Sequence, residues 1–346
     1  MIRTMKVNII QHNQHDSMCD AETLIMLLRR TKQKPEVTNI PINNSPNNVK
    51  NASLNIFIDA INMSFLSKAK KNIILVNHHT FTPVWKELLV NFDLILCKTK
   101  YCYDIFSEFI PKEKIKLLNW QSTDRSTGGV DKEREKVLLM YTNPFFSNLQ
   151  PILDAWELDY PELNIVMISD IPKSVKKKNL ANINYIQNLT PEKFNILFNK
   201  CLIHICLSNT ENFNHNSIQC QMSRSIPIIA GKGPSIEHVH PDGYFAVSVT
   251  KKKNINFLGS RYSYNTESVK ETLEKIFSTS LTTLEIMGKN SAEYSLRNKM
   301  RSTEELVPFF QELLTSCKSS SKDNKVSELP PKVSIVTHVH NMKKML

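Results

Sequence analysis

Leu202-Ile-His-Ile-Cys-Leu207 runs directly into Ser208-Asn-Thr-Glu-Asn-Phe-Asn-His-Asn-Ser-Ile-Gln-Cys-Gln-Met-Ser-Arg-Ser-Ile-Pro-Ile-Ile-Ala-Gly231. An apolar, β-branched run leads into a polar loop with one acid, then a stretch of helical spacing, then a proline-led apolar run ending in glycine. Strand, loop, helix, strand is the repeating unit of an α/β fold with parallel strands. In such folds ligands bind beyond the carboxyl ends of strands, so the chemistry is expected in the loop from Ser208. A helix starting near Asn214 aims free backbone N–H groups at that loop, which suits a phosphorylated ligand.

The same alternation extends to both sides. Upstream, Lys6-Val-Asn-Ile-Ile10, Leu54-Asn-Ile-Phe-Ile58, Asn72-Ile-Ile-Leu-Val76 and Asp93-Leu-Ile-Leu-Cys97 read as strands. Between them, Ala21 to Lys32, Pro83 to Phe92 and Tyr101 to Phe109 carry apolar residues at helical spacing, with Asp20 as the expected N-cap of the first. Lys136 to Tyr141, Asn164 to Ser169, Asn184 to Ile186, Pro227 to Ala230 and Tyr244 to Val249 are the further strands of a second α/β unit, and Thr266 to Cys317 reads as helix throughout. The polar stretch after Trp120 holds the only Gly-Gly pair among seven glycines and marks an interdomain linker. The expected division is an N-terminal domain over residues 1–122, a linker over 123–135, a C-terminal domain over 136–317, a second linker over 318–331 and a stub over 332–346.

With 346 residues, the chain is long enough for two cores. No apolar stretch approaches the roughly 18 residues that span a bilayer, and the N-terminal apolar run is too short for a signal peptide, so a cytoplasmic protein without a transmembrane segment is expected. The seven cysteines form no C-x-x-C pair and mostly sit in apolar runs, which predicts reduced, packed thiols. The net charge of +11 suits a polyanion, but the basic runs Lys176–Lys178 and Lys251–Lys253 are short and read as solvated loops. The richness in Lys, Asn and Ile follows the pattern of an AT-rich genome. No interleaved aromatic and basic pattern points to specific nucleic-acid binding.

Glu211-Asn-Phe followed by Pro227-Ile-Ile, then Gly233-Pro-Ser-Ile-Glu237 and Pro241-Asp-Gly243, give three landmarks in order. Their spacing resembles the donor-site motif of the retaining GT-B glycosyltransferases of glycosyltransferase family 4. Asn77-His-His, Lys98-Thr99 and Trp120-Gln-Ser-Thr-Asp124 resemble related bacterial members over shorter matches. The resemblance implies two Rossmann-like domains with a cleft between them and a helical C-terminal segment. It also implies metal-independent transfer from a nucleotide-diphosphate sugar, with no tightly bound cofactor, to a glycan, lipid or protein hydroxyl.

Within that frame Glu211 sits by the donor sugar, with His12 and His15 at the reacting centre. Gln219 stands near the family's second Glu, which holds the ribose hydroxyls, though an inserted residue before Ser217 would align Cys220 instead. Asn214, Ser217, Gly231, Gly233, Ser235 and Asn143 border the donor, and Asn77, His78 and Lys98 face the acceptor side. The loop after the first C-terminal strand, Tyr141-Thr-Asn-Pro-Phe-Phe-Ser-Asn-Leu-Gln150, holds no Arg or Lys where the family neutralises the diphosphate. Lys98, Lys100 and Arg125 are the candidate replacements. These departures keep a second reading open, a GT-B protein that binds or scaffolds without turnover.

The pairs His238-Val-His240 and His338-Val-His340 lack a full ligand set, and no metal is expected. The tail Lys332-Val-Ser-Ile-Val-Thr-His-Val-His-Asn341 resembles the opening strand of a family 2 glycosyltransferase domain of the GT-A type, implying a fused or partner enzyme of that family. A packed or disordered C-terminal strand is the other reading of the same residues.

Overall fold

A computed structural model of the chain describes residues 5–12, 15–142, 148–210 and 213–319. Glu211, Asn143 and the tail from residue 320, with its expected GT-A-like strand, lie outside the described residues, as does the His15 side chain.

The N-terminal sheet is wholly parallel. It is built from β1 (Lys6–Gln11), β2 (Glu36–Pro41), β3 (Ala52–Ile58), β4 (Ala69–Val76), β5 (Leu94–Cys97) and β6 (Ile115–Leu117), in the spatial order β2-β1-β3-β4-β5-β6. Helices α1 (His15–Arg30) and α2 (Lys100–Ser107) pack with it. The expected helix from Pro83 is a 3-10 segment ending at Asn91. β2 and β6 carry no apolar run. Only Ile40 of β2 is buried, because an edge strand has one partner and faces solvent.

The second sheet is also parallel: β7 (Glu133–Tyr141), β8 (Glu162–Met167), β9 (Ile183–Ile186), β10 (Cys201–Ile205), β11 (Ile226–Ala230) and β12 (Phe245–Val247), ordered β12-β11-β10-β7-β8-β9. Its helices are α3 (Gln150–Ala155), α4 (Pro191–Lys200), α5 (His215–Met222) and α6 (Thr266–Ser278). A hairpin of β13 (Thr250–Lys253) and β14 (Ser260–Ser263) stands apart from the sheet. Central strands such as β10 and β11 are buried along their whole length, which is why β11 reads as an unbroken apolar run and β10 as one broken only by His204.

The last helix, α7 (Leu281–Ser319), has 39 residues and spans about 58 Å at 1.5 Å per residue. Its first half packs with the C-terminal domain, where Leu284 joins the core. Its last turns carry Leu306, Phe310, Leu314 and Cys317 into the core of the N-terminal domain, against Val7, Leu24 and Leu54. The helical segment therefore does not belong to the second domain alone. All seven cysteines are buried and none forms a disulfide. Among the described residues no helix is long and apolar enough to cross a membrane.

Candidate functional site

Each sheet has a topological switch point, where strand order reverses and the flanking loops diverge to leave a crevice. In the N-terminal sheet it lies between β1 and β3, and in the C-terminal sheet between β7 and β10. The carboxyl ends of the two sheets meet. Glu237, just after β11, accepts hydrogen bonds from the backbone N–H of Lys100 (2.7 Å) and Tyr101 (2.9 Å), at the open N-terminus of α2. Burial pushes its carboxyl up from the usual range.

The two domains are also joined by a buried charge network centred on Asp20. This residue does not cap a helix from Ala21. α1 already starts at His15, and Asp20 lies inside it on the buried face with no solvent exposure. Its carboxylate accepts from Lys98 Nζ, from the Trp120 indole N–H (2.8 Å) and from His215 Nε2 (2.9 Å). His215 Nε2 carries a proton toward the carboxylate, and its Nδ1 lies 3.0 Å from Ser122 Oγ, within hydrogen-bond distance. Burial pushes the Asp20 carboxyl up, but the charges and hydrogen bonds of Lys98 and His215 outweigh it and hold the group below the usual carboxylate range. The Ser122–His215–Asp20 chain has the connectivity of a nucleophile relay. Ser122 is fully buried, however, so the chain acts as a joint between domains rather than a reacting centre.

A cavity of about 420 Å³ opens at the C-terminal switch point. It is lined by Tyr141 at the end of β7, Asn209 after β10, Ser174 after β8, and Lys252 and Arg261 on the hairpin. Among the described residues, two cations and no carboxylate line it. Burial pushes the Tyr141 phenol up to about 12, so it is a neutral hydroxyl there. In the segment flanking Glu211, the buried atoms Asn209 Oδ1, Thr210 Oγ1, Asn214 Nδ2, Asn216 Oδ1 and Ser217 Oγ have no hydrogen-bond partner. Native proteins rarely leave such groups orphaned, and five in one loop mark a place where a ligand or ordered water completes the set.

The residues singled out from the sequence divide between this loop and structural work. Asn214 is the N-cap of α5 in a left-handed conformation (φ 56°), its Oδ1 accepting from the Ser217 N–H at 3.2 Å. Ser217 offers its unpartnered hydroxyl. Gln219 is engaged with the linker: Arg125 Nε donates to its Oε1 (2.9 Å) and its amide donates to Thr123 (3.0 Å), so it ties α5 to that segment. Gly231 donates its N–H to Val247, and Ser235 donates its hydroxyl to the Ala230 carbonyl. Gly233 sits at φ 87° with the Tyr262 ring so close that a Cβ would lie 2.6 Å from it.

On the opposite side, burial lowers the His12 pKa, keeping the imidazole neutral. The Asn77 carbonyl accepts from the N–H groups of Thr80 and Phe81, and its amide lies 3.4 Å from His79 Nε2. The His78 ring is fully buried, packs edge-on against Tyr101 (4.9 Å between centroids) and leaves both nitrogens unpartnered. Lys98 is not on an acceptor surface; its ammonium is spent on Asp20 in the interior. Lys100 pairs with Asp104, so with Arg125 on Gln219 all three cations named as replacements are engaged within the protein. His238 packs on Phe213 and His240 on Tyr294, and no metal-binding group of residues occurs among the described residues.

Tyr141, Asn209, Lys252 and Arg261 were not identified from the sequence. The available signal was the alternation in Arg261-Tyr-Ser-Tyr264 after Gly259, which with the lysine run forms a hairpin pattern.

No protein-family model matches the sequence. No curated protein matches it either. Solved structures match its fold. Sucrose-phosphate synthase from Thermosynechococcus elongatus superposes with a TM-score of 0.62 at 8% identity, over 90% of this chain and 100% of that one. The pneumococcal O-GlcNAc transferase GtfA, solved with UDP and GlcNAc, gives 0.57 at 9% identity, over 78% of this chain and 58% of that one. TarM gives 0.54 at 11% identity, over 77% of this chain, and this chain spans only 55% of its length. At such identities the likeness concerns the fold alone. The chain has the two-domain, Rossmann-like GT-B architecture.

Proposed function

We propose that this chain transfers a sugar from a nucleotide-diphosphate sugar to a hydroxyl of a glycan, lipid or protein, with retention as the family 4 resemblance implies. The observation that carries this reading is the cavity at the C-terminal switch point, lined among the described residues by two cations and no carboxylate. Departure of a nucleoside diphosphate builds negative charge, and fixed cations and N–H donors that meet it lower the barrier. In this reading Glu211 stands by the donor sugar, and Asn143, Asn214 and Ser217 bind the nucleotide. The Gly231–Ser235 segment borders the diphosphate. His12, His15, Asn77 and His78 face the acceptor across the cleft. The donor is a substrate, and no metal or resident cofactor enters the reaction.

The test is release of nucleoside diphosphate from a panel of nucleotide sugars, followed by NMR, which also reads the anomeric configuration of the product. The wild type is expected to turn over one donor, and Glu211→Gln is expected to lose turnover while keeping its melting temperature. Unchanged turnover in Glu211→Gln refutes the site. A second reading, a GT-B binding or scaffolding subunit, is favoured by one observation: Lys98 is paired with Asp20 in the interior, Lys100 with Asp104 at the surface, and Arg125 donates to Gln219. It predicts nucleotide binding without turnover, or no binding at all. A family 2 glycosyltransferase, fused or separate, is the partner that the tail suggests.

A further inference from the structure

The β13–β14 hairpin has two working faces. Its register pairs Lys252 with Arg261 and Lys251 with Tyr262, and neighbours along a strand point to opposite sides. Lys252, Arg261 and Ser263 share one face, and all three line the cavity. The other face docks on the protein. Tyr262 packs on Gly233 and hydrogen-bonds Tyr101, and Lys251 lies over the Tyr101 ring.

The hairpin is held at both ends of its span. The Tyr262 N–H donates to the Asn209 carbonyl (2.7 Å), and the Leu258 N–H donates to the Phe81 carbonyl in the N-terminal domain (3.0 Å). Just past β14, the Tyr264 hydroxyl donates to the Asn148 carbonyl (2.8 Å). These contacts hold Lys252 and Arg261 side by side on the face that lines the cavity. Lys252 has no ion pair among the described residues. Asn209, 7% exposed, lines the same cavity with an unpartnered Oδ1.

We propose that Lys252 and Arg261 form the diphosphate-binding pair of this protein, supplied by the hairpin in place of a basic residue after β7. This inference rests on the nucleotide-sugar reading above and names the residues that serve it. Arg261 offers a planar fork and Lys252 a point charge, a combination suited to two adjacent phosphoryl groups.

The experiment is isothermal titration of the full chain with UDP, GDP, ADP and CDP, with the corresponding nucleosides, and with inorganic pyrophosphate. Wild type is compared with Lys252→Gln/Arg261→Gln, with Lys252→Gln alone, and with Lys253→Gln, which removes the same charge from the other face. Charge-assisted bonds of about 1.5–3 kcal/mol each predict roughly tenfold or greater weakening in Lys252→Gln and more in the double variant. Nucleoside affinity and Lys253→Gln should change less than about threefold on the same reasoning. Circular dichroism checks folding, and the exposed Lys252 keeps the single variant informative if the double variant unfolds.

A nucleoside diphosphate that binds equally well to wild type and variants, or that weakens as much in Lys253→Gln, overturns the pair while leaving the donor reading intact. Pyrophosphate binding that depends on the pair, with no nucleotide bound by the wild type, supports the anion site and refutes the donor reading. Binding of neither refutes both.

Discussion

Asp20→Asn removes the one carboxylate that Lys98, Trp120 and His215 share. Lys98 is 1% exposed and His215 2%, so neither recovers its hydrogen bonds from water. Breaking a buried ion pair by removing one partner costs about 3–5 kcal/mol, because the remaining charge stays desolvated. The asparagine carbonyl keeps part of the donor set, while its amide NH2 turns a donor toward other donors. Urea unfolding followed by far-UV dichroism and tryptophan fluorescence should register the full loss, with Trp120 reporting the joint directly. The double variant Asp20→Asn/Lys98→Met should recover most of the stability, because it removes the stranded ammonium and fills its volume with an apolar chain. A loss below about 1 kcal/mol, or a double variant no better than the single, refutes the assignment of this network as the domain joint. The pH dependence has a defined sign. A carboxyl whose folded pKa is depressed contributes stability that is present above the unfolded value of about 3.9 and is lost as the pH falls through the lower folded value.

His204 and His238 act in a higher window. Burial lowers them to about 3 and about 4, so between pH 6.5 and 4 the unfolded chain takes up protons that the folded chain refuses. Stability should fall on acidification by up to about 1.4 kcal/mol per pH unit for each, and His204→Gln should remove one of these contributions in urea titrations at several pH values. Gly233→Ala places a Cβ 2.6 Å from the Tyr262 ring at φ 87°, and should cost about 1–3 kcal/mol in melting experiments while weakening nucleotide binding through the displaced hairpin. Glu237→Gln leaves one of the α2 N–H groups without its carboxylate, and should cost about 1–2 kcal/mol of unfolding free energy.

The sheets were legible because strand segments buried on both faces are mostly apolar, as residues 73–76 of β4 and all of β11 are. β2 was not, since Glu36, Thr38 and Asn39 face solvent and leave no pattern. Asp20 was misread as a cap because helical periodicity was read only from Ala21, whereas α1 starts six residues earlier, at His15. Its partners lie 78, 100 and 195 residues away, a convergence that no local spacing encodes. The loop from Ser208 was legible as a loop, since strand, polar loop and capped helix are local features. The sequence pointed to Lys98, Lys100 and Arg125 as the compensating cations, whereas the two cations lining the cavity stand on a hairpin whose lysine run looked like an ordinary solvated loop. Only the pairing of Lys252 with Arg261 turns that run toward the cavity.

The most direct measurement is a thermal-shift screen of the full chain against UDP, GDP, ADP and CMP and their common sugar conjugates. A ligand at 100 times its Kd stabilises a folded protein by about 2.7 kcal/mol, whatever the acceptor turns out to be. The account predicts a clear rise in melting temperature with one nucleotide and its sugar conjugate. No shift with any of them would contradict a nucleotide-sugar site in this cleft.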